Sequence, residues 1–339
     1  MKIPTVDIAP FGANAEAVAR EWDAAMRATG FALISGHGIP DALLNGVYDH
    51  AQAFFARPLE EKMRLSFPER GRGQGYLPLR SEIVSSGRDA RARPDLCESL
   101  TFANPRFDAA APDNALDARL YRANLWPHDM PGFRETVEAY IAAGRELALR
   151  LMRLSAVALD LRADHFAPFF DSMELNLRCV LYPDQPEAPQ DGAMRYGPHT
   201  DFSGFTILRQ DAAPGGLQVK IDEAWVDVPP VPGTLVINAG DLIQRWTNDR
   251  WVSNVHRVNN PPPSFAPDGA TDTSPASALA RAQGRRASTR RLSIVLFTGP
   301  NSDAEISCLP GCGAAKYPPI LAGLHSEERM RQTYGTVGE

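Results

Sequence analysis

Residues 197–208, GPHTDFSGFTIL, place an imidazole and a carboxylate two positions apart, at His199 and Asp201. In an extended strand alternate side chains share a face, so this pair can close on a divalent cation. His-x-Asp is common by chance, and the pair alone does not establish a metal site. His256, in WVSNVHRV, offers a third donor of suitable chemistry on a later stretch of strand character. Two histidines and one carboxylate on one face of an octahedron leave three positions open. That is the non-haem iron(II) arrangement, in which a bidentate cosubstrate takes two positions and dioxygen the third. A hydrolytic zinc site more often uses a tighter cluster and one water. A histidine satisfied at a strand end is the plainer reading of His256.

A second pair weakens that plainer reading. Arg291 and Ser293, in RRLSIVLF, share one face of a strand. An arginine fork with a hydroxyl beside it, set in apolar surroundings, would grip a carboxylate from two sides. A buried arginine needs such a partner, because an unpaired buried charge is costly. The competing reading is a solvated basic run, since Arg285, Arg286 and Arg290 are neighbours in sequence.

The elements that carry these residues change character along the chain. Residues 14–29 have apolar positions at Val18, Trp22 and Met26, a helical stripe ended by Gly30. FALISGHGIP reads as a short strand and turn, and Asp41 as the N-cap of a helix running to about Phe55. A long helix is predicted from near Pro131 to about Leu159, burying Phe133, Val137, Tyr140, Ile141, Leu147, Leu151 and Leu154. From about residue 173 the period becomes two: in ELNLRCVLYP, Leu175, Leu177, Cys179 and Leu181 alternate with Asn176, Arg178, Val180 and Tyr182. FTILRQ, LQVKI, WVDVP, TLVINAG, DLIQRWT, WVSNVHRV and RRLSIVLF follow as short strand candidates between Pro- and Gly-bearing turns. The expected fold is mainly β with flanking α-helices, around a double-stranded β-helix (jelly-roll) core.

Three regions are expected: 1–172, helical with short strands and packed on the core; 173–310, the jelly-roll core; and 311–339, a C-terminal loop and helix. Residues 261–289, rich in Pro, Ala, Ser, Thr and Asp, read as a mobile insertion between two core strands.

Composition excludes several functions. With 339 residues, 44% hydrophobic and 22% charged, the chain has the make-up of an ordinary globular protein. Its net charge of −6, without a basic stripe, argues against nucleic acid as partner. The N-terminus has no apolar signal region, and no apolar run approaches the roughly 20 residues needed to span a bilayer. Four scattered cysteines are too few for a disulfide scaffold, and Cys308 and Cys312 read as free thiols in a loop. The expectation is a cytoplasmic protein with a small-molecule partner, as a monomer or weak homodimer, contacting neither nucleic acid nor membrane.

Several long segments, in order, resemble the iron(II)/2-oxoglutarate oxygenases of the isopenicillin N synthase-like superfamily. They are GFALISGHGIP, LYPDQP, HTDFSGFTIL, GDLIQRWTNDRWVSNVHRV and RRLSIVLF, spread over nearly the whole chain. The resemblance implies that His199, Asp201 and His256 ligate iron(II). It implies that Arg291 and Ser293 bind the 5-carboxylate of 2-oxoglutarate and that Tyr182 hydrogen-bonds the same cosubstrate, with O2 as the other. Many relatives carry an asparagine where this chain has Val180, which puts one cosubstrate contact in doubt. Phe297 shares the Arg291 face, where some relatives place an aromatic against substrate. The implied activity is hydroxylation, desaturation or ring closure of a small organic metabolite with release of succinate and CO2. A 2-oxoglutarate-independent oxidase of the same fold and a non-catalytic binding protein are the alternatives.

Overall fold

The computed structural model describes residues 2–67, 74–85, 92–108, 114–185, 189, 192–262 and 288–334. Most of the expected 261–289 insertion, residues 263–287, lies outside the described residues.

Helix α1, Ala15–Ala28, buries Val18, Ala19, Trp22, Ala25 and Met26 along one stripe. It ends where Gly30 takes φ +66°, with the Val252 carbonyl oxygen only 2.0 Å from where a Cβ would sit. Helix α2, Asp41–Phe55, follows Pro40, which occupies the cap in extended conformation. Asp41 is therefore not the cap: it lies in the first turn and makes no capping bond, although its charge still suits the helix dipole. The short helices α3, Leu59–Met63, and α4, Ala115–Leu120, precede the long α5, Phe133–Ala158. All seven of the apolar positions expected on α5 are buried.

Two sheets form the core. The larger combines β1 (Thr5–Asp7), β2 (Phe31–Ser35), β3 (Gly75–Leu77), β4 (Glu98–Ala103), β5 (Glu174–Tyr182), β7 (Phe205–Gln210), β10 (Leu235–Ala239) and β12 (Arg291–Gly299) in the order β1-β2-β10-β7-β12-β5-β4-β3. The smaller runs β6-β11-β8-β9, from β6 (Tyr196–His199), β8 (Gly216–Ile221), β9 (Ala224–Asp227) and β11 (His256–Asn259). Phe31, Leu33, Leu208 and Val236 of the larger sheet pack with Leu217, Val219 and Ile221 of the smaller, so the sheets face each other as a jelly roll. Strand β13 (Glu305–Ile306) pairs with β14 (Ile320–Leu321), which leads directly into helix α7 (Ala322–Tyr334).

Strand parity sorts the larger sheet into two faces. Leu177, Ile207, Ile237, Leu292, Ile294 and Leu296 sit in the main core with Trp22 of α1 and Leu147 and Leu151 of α5. The opposite face, turned to the smaller sheet, carries Asn176, Arg178, Val180 and Tyr182 directly across from Phe297, Val295, Ser293 and Arg291. The same parity puts Thr206 beside Phe297 and Asn238 beside Thr206.

Two further local expectations fail. DLIQRWT forms helix α6, Asp241–Trp246, rather than a strand; Leu242, Ile243 and Trp246 are buried at helical spacing, a pattern that a short apolar run does not distinguish from a strand. Strand β6 ends at His199, so Asp201 stands in the bend before β7 and not on an extended strand.

Candidate metal centre

His199 and His256 are direct partners in the β6–β11 ladder, so their side chains emerge on one face. Their rings lie 4.2 Å apart between centroids. The bend after β6 brings Asp201 back to them: its Oδ1 is 3.7 Å from His199 Nε2 and 3.6 Å from His256 Nε2. One donor atom from each of the three lies within 4.8 Å of the others, the one such His/Cys/Asp/Glu group among the described residues. Carboxylate and imidazole donors, with one side facing a cavity, fit a six-coordinate divalent iron with positions left open.

Neighbouring groups fix the orientation of each donor. His199 Nδ1 donates to the Gly197 carbonyl at 2.9 Å, and His256 Nδ1 donates to the Asn254 carbonyl at 3.1 Å. Both Nε2 lone pairs are thereby left for a cation. Asp201 Oδ2 accepts from Thr206 Oγ1 at 2.5 Å and Asn238 Nδ2 at 2.6 Å, leaving Oδ1 toward the imidazoles. Burial, with His256 beside it, pushes the His199 imidazole down to about 3. Burial opposes charge on the other two as well, but their mutual attraction wins: Asp201 stays below the usual carboxylate range and His256 is raised.

The three donors line a cavity of about 560 Å³ together with Tyr182, Arg291, Ser293 and Phe297. The sequence-predicted residues are thus brought together around one space. Arg291 is 1% exposed. Its Nη1 donates to the Asp211 carbonyl and its Nη2 to Gln210 Oε1, each at 2.7 Å, and no carboxylate among the described residues pairs with it. Burial lowers its pKa. A guanidinium held by two neutral acceptors in an apolar cavity fits an anionic ligand better than it fits its own surroundings. A second cavity, of about 800 Å³, adjoins the first and shares His199, Asp201, Arg178, Tyr196 and Phe297 with it.

Residues 3–129 match the family model for the non-haem dioxygenase in morphine synthesis N-terminal region, and residues 172–265 match the 2OG-Fe(II) oxygenase superfamily. A 2-oxoglutarate-Fe(II) type oxidoreductase, hxnY of Emericella nidulans, is 34% identical over 98% of this chain and 90% of its own. The chain belongs to the 2-oxoglutarate–iron(II) oxygenases of the isopenicillin N synthase-like superfamily. Validamycin A dioxygenase of Streptomyces hygroscopicus subsp. limoneus is 33% identical over 76% of this chain and 72% of its own. A full-length Neurospora crassa protein, solved in complex with alpha-KG (2-oxoglutarate), superposes with a TM-score of 0.78 at 27% identity, covering 97% and 95% of the two chains. This protein is accordingly an oxidoreductase of the dioxygenase type that uses iron(II), 2-oxoglutarate and O2.

Several residues around the oxygenase centre were not singled out from sequence. Thr206 and Asn238 hold Asp201, and the signal for both was a polar residue at an inward position of an otherwise apolar strand. Arg178 is buried, pairs with Glu82, and donates to Tyr196 and Ser99 at 3.0 Å each. Its parity with Tyr182 was visible, but its partner Glu82 lies 96 residues away. No helix among the described residues is long and apolar enough to cross a membrane, and all four cysteines are free.

Proposed function

We propose that this oxygenase hydroxylates, desaturates or cyclises a small organic metabolite, with His199, Asp201 and His256 holding the iron. Arg291 and Ser293 take the 5-carboxylate of 2-oxoglutarate, and Tyr182 hydrogen-bonds the same molecule. When bound, iron with 2-oxoglutarate and dioxygen supplies the oxidising power, with succinate and CO2 as co-products.

The observation that carries this reading is Arg291, buried without a carboxylate partner among the described residues, in the cavity that the three metal donors also line. The guanidinium anchors the cosubstrate at one end, and the carbonyls of Gly197 and Asn254 hold both imidazoles with Nε2 toward the metal position. Apolar Val180, Leu208, Leu217, Val258 and Val295 line the space between, excluding water and strengthening each polar contact. Val180 offers no hydrogen bond, so the cosubstrate grip here falls on Arg291, Ser293 and Tyr182. Phe297 borders both cavities and forms a wall between cosubstrate and substrate.

The test is succinate release from the purified protein with iron(II), 2-oxoglutarate and a metabolite library, with mass spectrometry of the products. Succinate is expected to appear in step with a product that has gained one oxygen or lost two hydrogens. His199→Ala is expected to abolish both while retaining the circular dichroism of the fold. Arg291→Lys should raise the KM for 2-oxoglutarate by about tenfold or more, because an ammonium cannot reproduce the fork. Product formed without succinate would overturn the assignment of Arg291.

A further inference from the structure

Among the described residues, the cavity of about 800 Å³ beside the metal donors has two charged groups in its wall other than Asp201: Arg178 and Glu174. They are not equivalent. Arg178 is matched by the buried carboxylate of Glu82. Glu174, 8% exposed, pairs with no Lys, Arg or His among the described residues. The nearby acid Asp117 already has its own cation, Arg106, at 2.9 Å. A carboxyl group buried in this way is pushed toward its neutral form unless something brings it a positive partner.

The contacts around Glu174 orient it without neutralising it. Its Oε1 accepts from Asn176 Nδ2 and its Oε2 from Ser203 Oγ, each at 2.8 Å, and the Tyr121 hydroxyl donates to it as well. All three donors are neutral, and an ionised carboxylate has about four acceptor positions, so room remains for a charged donor. Because Asn176 spends its amide nitrogen on Glu174, its own carbonyl is a further acceptor in the cavity wall. Across the sheet, Thr101 pairs with Arg178 on β5, two residues along the strand from Asn176. The Thr101 hydroxyl is buried, lines the same cavity and has no hydrogen-bond partner among the described residues. Tyr121, Phe202 and Phe297 also line the cavity, with Phe202 lying under the Arg329 guanidinium and Tyr121 stacked on Phe107. Burial pushes the Glu174 carboxyl up against the hydrogen bonds from Ser203, Asn176 and Tyr121, and Asp117 adds to that push.

We propose that Glu174, with Asn176 and Thr101, is the specificity end of the substrate cavity and that the substrate presents a cationic nitrogen there, as an amine or a guanidine. A carboxylate with acceptor oxygens beside it, in a cavity that aromatic side chains also line, is an environment that stabilises such a group, chiefly by ion pairing. A carboxylate-bearing substrate end is disfavoured at the same place by repulsion. The inference rests on the reading of this cavity as the substrate site of the oxygenase.

The test is calorimetric titration of the purified protein, loaded with Mn(II) and 2-oxoglutarate, with agmatine, cadaverine, 1,5-pentanediol and glutarate. Agmatine or cadaverine is expected to bind, with the diol and glutarate at least about tenfold weaker. Glu174→Gln should weaken binding of the cation by about tenfold or more, with the affinity for 2-oxoglutarate retained. Should that variant not fold, Thr101→Val carries the test, with a loss of about threefold expected for the cation. Glutarate or the diol binding as tightly as the cations, neither cation binding, or variants that bind the cation as the wild type does would each overturn the proposal. Failure of the wild-type protein to bind 2-oxoglutarate would instead sink the proposed function.

Discussion

At the scale of single residues, the centre depends on groups that never touch the metal position. Asp201 Oδ2 is held by Thr206 and Asn238, and this leaves Oδ1 aimed at the imidazoles. Asn238→Ala should therefore weaken Mn(II) affinity roughly 10–100-fold, the usual cost of losing a contact that orients a ligand, while the fold persists. Unchanged affinity by electron paramagnetic resonance titration would show that Asp201 orients itself. The two histidines respond differently to protons. His199, pushed down to about 3, is neutral throughout the working range. His256 is raised by the Asp201 carboxylate, so without metal it carries a proton to higher pH than an ordinary histidine. In the metal-free protein that charge adds stability below an unfolded pKa of about 6.5, and the contribution fades as pH rises through the raised value. Metal must displace the same proton, so affinity should climb with pH until His256 has passed its raised value and level off above it. A second, lower break in that profile would contradict the neutral His199.

At the scale of elements, the end of one helix helps to place a donor it does not carry. Gly30 closes α1 at φ +66°, against the Val252 carbonyl. Next to it, the Thr29 carbonyl accepts from Asn254 Nδ2, and Asn254 in turn accepts from His256. Gly30→Ala adds both an unfavourable φ and a backbone collision, and should cost at least about 2 kcal/mol. It should also weaken metal binding, and a urea midpoint equal to wild type would refute the role. The elements themselves were largely legible in the sequence. The period-two alternation of β5 named its two faces correctly, and the α5 stripe is buried as its spacing required. Two elements around the site were harder to read. DLIQRWT is apolar enough for either period, and tertiary packing made it helical. Asp201 reaches the histidines through a bend and not by strand parity, because β6 stops at His199. Long-range partners such as Glu82 for Arg178 leave no local signature, which is also why the acidic end of the second cavity had no sequence signal.

At the scale of the molecule, the first part of the chain is built into both sides of the core sheet. Strand β2 covers the edge of β10, and β4 covers the edge of β5. Helices α1 and α5 lie over the apolar face formed by Leu177, Ile207, Ile237, Ile294 and Leu296, and Trp22 meets Phe205 with ring centroids 5.4 Å apart. A fragment beginning at residue 173 would keep all three metal donors and Arg291. It would also expose two unpaired strand edges and that apolar face, the combination that drives edge-to-edge association. The fragment should therefore aggregate and bind no Mn(II), and co-expression with residues 1–172 should restore a soluble complex. The intact chain should in turn unfold in one transition. Tryptophans are spread over both parts, at 22 and 126 and at 225, 246 and 251. Their fluorescence in urea should follow the same curve as far-ultraviolet circular dichroism. Two separated transitions, or a soluble metal-binding fragment, would show that the β core stands without the segment wrapped around it.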